Sequence, residues 1–202
     1  MKALLIKDIK TIQVFFYFIA IFGFFTTMTE SVPYLSFVYV FMIPMTLMNQ
    51  DELTHFNRLA SMLPISVAES VLEKYIITLI GLGFAIVFSL LGIVVGNYVL
   101  GSASSVSAVI LPVAIVLLYC AVTLPLDFLV SSQIGRTIMM VVSLVIVGLV
   151  AGIFAAGLGD ALSDIINGEM SIALSVGLIA ICAVLFAASI PLSIAIYRRK
   201  DR

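Results

Sequence analysis

The chain has 202 residues, of which 63% are hydrophobic and only 10% are charged. Soluble globular domains are nearer half apolar and about 25% charged, so this composition excludes an ordinary soluble fold and predicts an integral membrane protein. The formal net charge of -1 points to no class of partner, because the charges are sorted along the chain rather than accumulated. Both cysteines, Cys120 and Cys182, fall inside apolar runs, where a thiol usually packs as a small apolar side chain.

Long apolar runs follow one another from residue 11 onward. About 20 apolar residues cross the roughly 30 Å hydrocarbon core of a bilayer, and such runs lie at about 11–28, 34–48, 75–100, 107–130, 137–158 and 170–197. We therefore predict an all-α integral membrane fold with six transmembrane helices in a single domain, residues 1–202. A re-entrant hairpin in place of the first or last pair of spans stays open as an alternative. Residues 1–10 are predicted to form an amphipathic helix along the inner surface.

The ten basic residues are sorted by side. All of them lie near the two ends of the chain or around the segments after the second and fourth runs: Lys2, Lys7, Lys10, Arg58, Lys74, Arg136, Arg198, Arg199, Lys200 and Arg202. The other connecting segments contain no Lys or Arg and carry Glu30, Asp160, Asp164 and Glu169. Because cytoplasmic segments retain Lys and Arg, we expect both termini to lie in the cytoplasm.

The segment between the second and third runs predicts a short helix, a turn and a second helix. Asp51 and Glu52 suit a helix N-terminus, and Pro64 should end that helix. Ser66 and Glu69 form a capping-box pattern that starts the next helix and leads into the third run. Apolar residues recur at helical spacing in the first helix: Leu53, Phe56, Leu59, Ala60 and Leu63. Such a helix suits either docking to a cytoplasmic partner or lying on the membrane.

Small residues four apart occur in two of the apolar runs. Gly92 and Gly96 lie in the third run, and Gly148 and Gly152 lie in the fifth. This spacing lets two helix backbones approach closely within lipid. We interpret these glycines as helix-packing positions, either within one chain or at a seam between two subunits.

Few residues could carry chemistry. The chain has one histidine, His55, and no phosphate-binding loop of the Gly-x-x-x-x-Gly-Lys-[Ser/Thr] type. We therefore predict that this chain is not an enzyme and binds no cofactor or metal itself. Ionisable groups within spans usually mark function, and Asp127 near the end of the fourth run is the candidate. Its predicted role is an ion pair or loop anchor with Arg136, or a part in gating.

The residue order around the second connecting segment resembles that of small ABC-2 type permeases, the membrane subunits of bacterial ABC exporters. The resemblance rests on Asp51-Glu52, Phe56-Asn57-Arg58, Ser61-Met62-Leu63-Pro64-Ile65-Ser66, Glu73-Lys74-Tyr75 and the start Met1-Lys2-Ala3-Leu4-Leu5-Ile6-Lys7-Asp8. In that family this segment is the coupling helix seated on the ATPase subunit. The resemblance implies that Asp51 and Glu52 lead into the coupling helix and that docking involves His55, Phe56, Asn57, Arg58 and Leu63.

The resemblance also implies partners and a location. Such permeases lack ATP-binding motifs and work in the bacterial plasma membrane with two copies of a separate ATP-binding subunit, which holds ATP and Mg. A second permease copy or a related permease completes the pathway, and some members export amphipathic peptides such as phenol-soluble modulins. Two other classes stay open: a stand-alone channel or secondary transporter, and an intramembrane enzyme or assembly factor.

Overall fold

The computed structural model describes residues 2–28, 34–54, 66–101, 109–129, 141 and 172–200. Its regular elements are all helical, as the composition and apolar runs predicted. In chain order they are α1 (Lys2–Thr11), α2 (Gln13–Met28), α3 (Tyr34–Leu53), α4 (Val67–Val95, continued by a π-helical turn, Gly96–Leu100), α5 (Ile110–Leu129) and α6 (Ile172–Lys200).

Three of the described helices are long and apolar enough to cross a membrane: Ala68–Leu100, Ile110–Leu129 and Ile179–Arg199. The bent pair α1 and α2 supplies a fourth if the two helices form one span. α3 is not among them, because polar residues from Asn49 onward occupy its last turn. The predicted fifth span, residues 137–158, lies outside the described residues apart from Val141. The structure thus supports three or four of the six predicted spans.

The start of the chain forms a helix separate from the first apolar run. α1 and α2 meet at Ile12 with a bend of 59°. The amide of Ile12 still donates to the carbonyl of Asp8 at 3.0 Å, so helical hydrogen bonding continues up to the bend. The separate N-terminal helix predicted for residues 1–10 is therefore present, and its axis is inclined by 59° to that of α2.

Helices α3 and α4 differ in how well the sequence predicted them. The capping box at the start of α4 is confirmed, since the Ser66 hydroxyl accepts from the Glu69 amide and the Glu69 carboxylate accepts from the Ser66 amide, both at 3.2 Å. The expected helix start at Asp51 is wrong, because α3 continues through Leu53 and Asp51 lies in its last turn. A carboxylate near a helix C-terminus opposes the helix dipole, and ion pairs formed by Asp51 offset that cost.

Helices α2, α3 and α4 pack together, and α5 and α6 form a second close pair that joins them through α3 and α4. α2 and α4 approach each other closely at Gly92, where an added Cβ would collide with Thr27 Oγ1 and the Phe24 carbonyl oxygen. Gly96 is buried at the start of the π-helical turn. Gly148 and Gly152 lie outside the described residues.

Contacts between distant residues place several helix ends together. Lys7 of α1 reaches Asp51 near the end of α3, and Tyr75 near the start of α4 reaches Ser193 of α6. Phe128 near the end of α5 stacks edge-on against Tyr197 of α6. α1, the last turns of α3, α5 and α6, and the first turns of α4 therefore share one end of the bundle, here named the ring end.

Candidate functional site

Five ionisable side chains from three helices converge at the ring end. α1 contributes Lys7 and Asp8, α3 contributes Asp51, and the second turn of α4 contributes Glu73 and Lys74. The helix containing α4 spans 33 residues, about 50 Å at 1.5 Å per residue, which exceeds the roughly 30 Å of hydrocarbon. Glu73 and Lys74 lie in its first two turns, before the predicted span that begins at Tyr75.

Four of these side chains form a closed arrangement, here named the charge ring. Lys74 Nζ lies 2.5 Å from Asp8 Oδ2 and 2.6 Å from Asp51 Oδ2. Lys7 Nζ lies 2.5 Å from Asp51 Oδ1 and 3.0 Å from Asp8 Oδ1. Each lysine thus bridges both aspartates, and the ring ties α1, α3 and α4 to one another.

The charge ring is largely shielded from solvent. Asp8 is 1% exposed and Lys74 is 5% exposed. Burial by itself would raise the pKa of Asp8, but the positive charges of Lys74 and Lys7 outweigh it and lower that pKa. Burial would likewise lower the pKa of Lys74, but Asp51 and Asp8 outweigh it and raise that pKa. Both pKa shifts favour the ionised forms of Asp8 and Lys74, as buried ion pairs require if their attraction is to compensate desolvation.

Glu73 stands beside the ring, and no ion pair joins it to a cation in the part of the chain that the structure describes. It is 2% exposed, and its Oε1 atom has no hydrogen-bond partner among the described residues. Burial raises the pKa of Glu73 from 4.5 to about 7; Lys74 works against this rise, and Asp8 adds to it. At neutral pH the Glu73 carboxyl group is therefore close to equal populations of its neutral and ionised forms.

A second polar cluster adjoins the ring and connects α4 to α6. Tyr75 Oη lies 2.8 Å from both Ser189 Oγ and Ser193 Oγ. Because the Ser189 hydroxyl donates to the Phe186 carbonyl at 2.8 Å, Tyr75 must donate to Ser189 and accept from Ser193. The Tyr75 ring also packs edge-on against Phe186. The charge ring and this cluster together link four helices at the ring end.

The sequence did not reveal the charge ring. Asp51 was assigned to a helix start, and Glu73 and Lys74 were placed on a capped cytoplasmic helix. The partners in the ring are separated by 44 residues for Lys7 and Asp51 and by 66 residues for Asp8 and Lys74, a range that helical periodicity cannot show. The sequence offered one signal of such a cluster: two pairs of adjacent opposite charges, Lys7-Asp8 and Glu73-Lys74, each directly before an apolar run.

The other predicted site residues are only partly described. Glu52 belongs to the last turn of α3. Asp127 is buried on α5 and belongs to the ring end. The remaining candidates lie outside the described residues, so neither the docking set nor an Asp127–Arg136 pair is described: His55, Phe56, Asn57, Arg58, Leu63 and Arg136.

The chemistry open to this site is electrostatic. Both lysines of the ring are engaged by carboxylates, so neither amine is available as a nucleophile. Within the described ranges no group of three His, Cys, Asp or Glu side chains is arranged to hold a metal ion. The arrangement can fix helices relative to one another and can respond to the protonation of Glu73.

A family model described as ABC-2 family transporter protein matches residues 3–198. The chain belongs to this family. The match spans α1 to α6 and confirms the resemblance drawn from the sequence. Searches among curated proteins and among solved structures found no match.

In this ABC-2 family member, the charge ring flanks the segment whose residues carried the resemblance. Asp51 lies just before residues 55–65, and Lys74 lies two turns of α4 after them. The family and the apolar helices together indicate a transporter protein of the membrane.

Proposed function

We propose that the chain is the permease subunit of an ABC exporter, and that it exports an amphipathic substrate such as a peptide. It would be no enzyme itself, because ATP hydrolysis would take place on two copies of a separate ATP-binding subunit that holds ATP and Mg. The family match supports this proposal, as does the lack of a phosphate-binding loop in the sequence.

The observation that carries the proposal is that the charge ring joins the helices that precede and follow residues 55–65 in the sequence. A segment that receives force from an ATPase must pass it to the spans on either side. The ring joins the last turn of α3 to the first turns of α4 through Asp51 and Lys74, so a displacement of the segment would move both helices as one unit. The ring also includes Asp8, so α1 would follow the same movement.

The proposed assembly has two permease subunits, either two copies of this chain or one copy with a related permease. We place it in the bacterial plasma membrane with both termini in the cytoplasm. The distribution of the ten basic residues supports this orientation. The shared position of α1 and the last turn of α6 at the ring end agrees with it.

Purification from native membranes in mild detergent tests the proposal. A soluble protein that bears a phosphate-binding loop should copurify in stoichiometric amount. Phe56→Ala and Arg58→Ala should each weaken that association or the stimulation of ATP hydrolysis, because both residues belong to the proposed docking helix. Arg199→Ala provides the control, since Arg199 is exposed near the end of α6 and should leave both readouts unchanged.

Two results would contradict parts of this proposal. If no ATPase copurifies under conditions that keep other ABC complexes whole, the chain works as a stand-alone channel or secondary transporter. If an ATPase copurifies but both single variants bind and stimulate it normally, the docking assignment of Phe56 and Arg58 is wrong while the permease assignment stands.

A further inference from the structure

Among the described residues around the ring, the charges leave one carboxyl group in excess. Lys7 and Lys74 supply two positive charges, and Asp8 and Asp51 supply two negative charges that the lysines already contact. Glu73 would add a third negative charge at a site that is 2% exposed. An unpaired buried charge is strongly unfavourable, so the closed arrangement favours a neutral Glu73.

Two buried oxygens point to where a proton would sit. Glu73 Oε1 is buried and lacks a hydrogen-bond partner among the described residues if the group is a carboxylate, and Asp8 Oδ1 is also buried, with Lys7 Nζ at 3.0 Å. Neither oxygen can donate in that state, whereas a protonated Glu73 can donate to the Asp8 carboxylate. One proton on Glu73 therefore removes the excess charge and provides the missing donor.

We propose that Glu73 is a proton-binding site and that its proton controls whether α1 stays locked to α3 and α4 through the charge ring. When the proton is bound, the five side chains carry no net charge and the closed ring is stable. When the proton leaves for water, the additional negative charge repels Asp8 and favours separation of α1 from α4. This inference concerns the chain itself and does not depend on an ATPase partner.

The direction of the pH response follows from the two states of Glu73. Its pKa is about 7 in the closed ring and 4.5 ordinarily, so the closed state binds the proton more readily than an open, hydrated state. The contribution of Glu73 to ring closure is fully present below pH 4.5 and is lost as the pH rises through about 7. Between these values the opening equilibrium should increase by up to about tenfold per pH unit.

Within the described ranges, the charged groups that shift the pKa of Glu73 come from two helices. Lys74 on its own helix lowers the pKa, Asp8 on α1 raises it, and Lys7 on α1 lowers it. α3 contributes Asp51, which acts on the site through Lys74 and Lys7. The ionisable side chains described on α5 and α6 are not among the groups that shift Glu73, so the response is assigned to the ring.

Infrared difference spectroscopy on the full chain in lipid nanodiscs tests the proton site directly. Spectra recorded at about pH 5 and about pH 7.5 should show the carbonyl band of a buried protonated carboxyl group much more strongly at the lower pH. Glu73→Gln should remove this band. Glu69→Gln is the matched control, because it makes the same chemical change one turn away on α4 and keeps a capping-box residue; its spectrum should match that of the unaltered chain.

Hydrogen exchange of the α1 amides, corrected for the intrinsic pH dependence of exchange, tests the lock. In the unaltered chain and in Glu69→Gln, opening of α1 should increase by at least about tenfold between pH 5 and 7.5. Glu73→Gln mimics the protonated form and should hold α1 closed at both values. The proposal is overturned if the carbonyl band persists in Glu73→Gln, or if α1 opening in the unaltered chain does not change with pH.

Discussion

Lys74 is the more buried of the two lysines in the charge ring, and its ammonium group contacts Asp8 and Asp51 together. A buried ion pair is weak evidence of net stabilisation, since desolvation offsets most of the attraction. Removing one member is a different matter, because the remaining charges stay buried without compensation. The ring therefore specifies how α1, α3 and α4 meet more than it adds to stability.

Replacing Lys74 with methionine should destabilise the fold strongly. Lys74→Met keeps much of the side-chain volume but leaves Asp8 and Asp51 with Lys7 as their remaining cation. We expect a loss of about 3–5 kcal/mol in the free energy of unfolding, measured by equilibrium unfolding in mixed detergent micelles. The control Lys10→Met changes an exposed lysine on α1 and should stay within about 0.5 kcal/mol. Equal stability of both variants would contradict the energetic role assigned to the ring.

Single residues show both what the sequence could predict and where it failed. Ser66 and Glu69 lie three positions apart, so their capping interaction was legible in the sequence and is confirmed. Asp51 was assigned to the wrong end of a helix, because the helix dipole was the only local preference available. Its ion pairs with Lys7 and Lys74 depend on three helices packing together, and no local pattern encodes that arrangement.

α4 is the element to which the rest of the described structure is attached. It starts with a capping box, contributes Lys74 to the ring, and bonds to α6 through Tyr75. Near its other end it touches α2 at Gly92. Within lipid the attraction between apolar helices comes from close contact rather than from exclusion of water, so the missing side chain at Gly92 matters for how near α2 can come.

A methyl group at Gly92 should push α2 and α4 apart. The Cβ of Gly92→Ala would collide with Thr27 Oγ1 and the backbone carbonyl of Phe24, and backbone cannot move aside cheaply. We expect a loss of about 1–3 kcal/mol in the free energy of unfolding, measured in the same micelles. Gly83→Ala is the control on the same helix, since nothing lies within 4 Å of the added Cβ. It should be neutral or stabilising by up to about 1 kcal/mol. A neutral Gly92→Ala would show that the two helices are not held at this distance.

At the scale of the whole molecule, the structure and the sequence agree on which helix ends belong together. The described basic residues on α1, near the start of α4 and near the end of α6 all lie at the ring end: Lys7, Lys10, Lys74, Arg198 and Arg199. The bias in Lys and Arg predicted such a grouping before any contact was known. The contacts add that oppositely charged residues from different helices share that end.

Accessibility labelling should place both termini on one side of the membrane. Lys10→Cys and Arg199→Cys, made singly, should react with a membrane-impermeant maleimide in inside-out vesicles and resist it in intact cells. Asp160→Cys, from a connecting segment without Lys or Arg, should show the opposite pattern. Cys120 and Cys182 are buried and should give little background. Reaction of positions 10 and 199 from opposite faces would require an odd number of spans.

Composition and the length of the apolar runs were enough to predict the fold class. A chain that is 63% hydrophobic can satisfy its backbone hydrogen bonds in lipid only as helices or a closed barrel, and its runs have the length of helical spans. The number of spans was harder, because the second run ends in polar residues that belong to the same helix, α3. The candidate site was the least predictable part. It requires Asp8 and Lys74 to meet across 66 residues, which depends on how the helices pack.

The separation of Asp8 from Lys74 in the sequence also has a consequence for the synthesis of the protein. Lys74 follows Asp8 by 66 residues, so Asp8 is synthesised well before this counter-ion exists. The ring can close only after α4 has been made, because α4 supplies Lys74. A nascent or truncated chain that stops before α4 lacks Lys74 and leaves Asp8 of α1 without that counter-ion, a mark by which quality-control proteases could distinguish unfinished copies from finished ones.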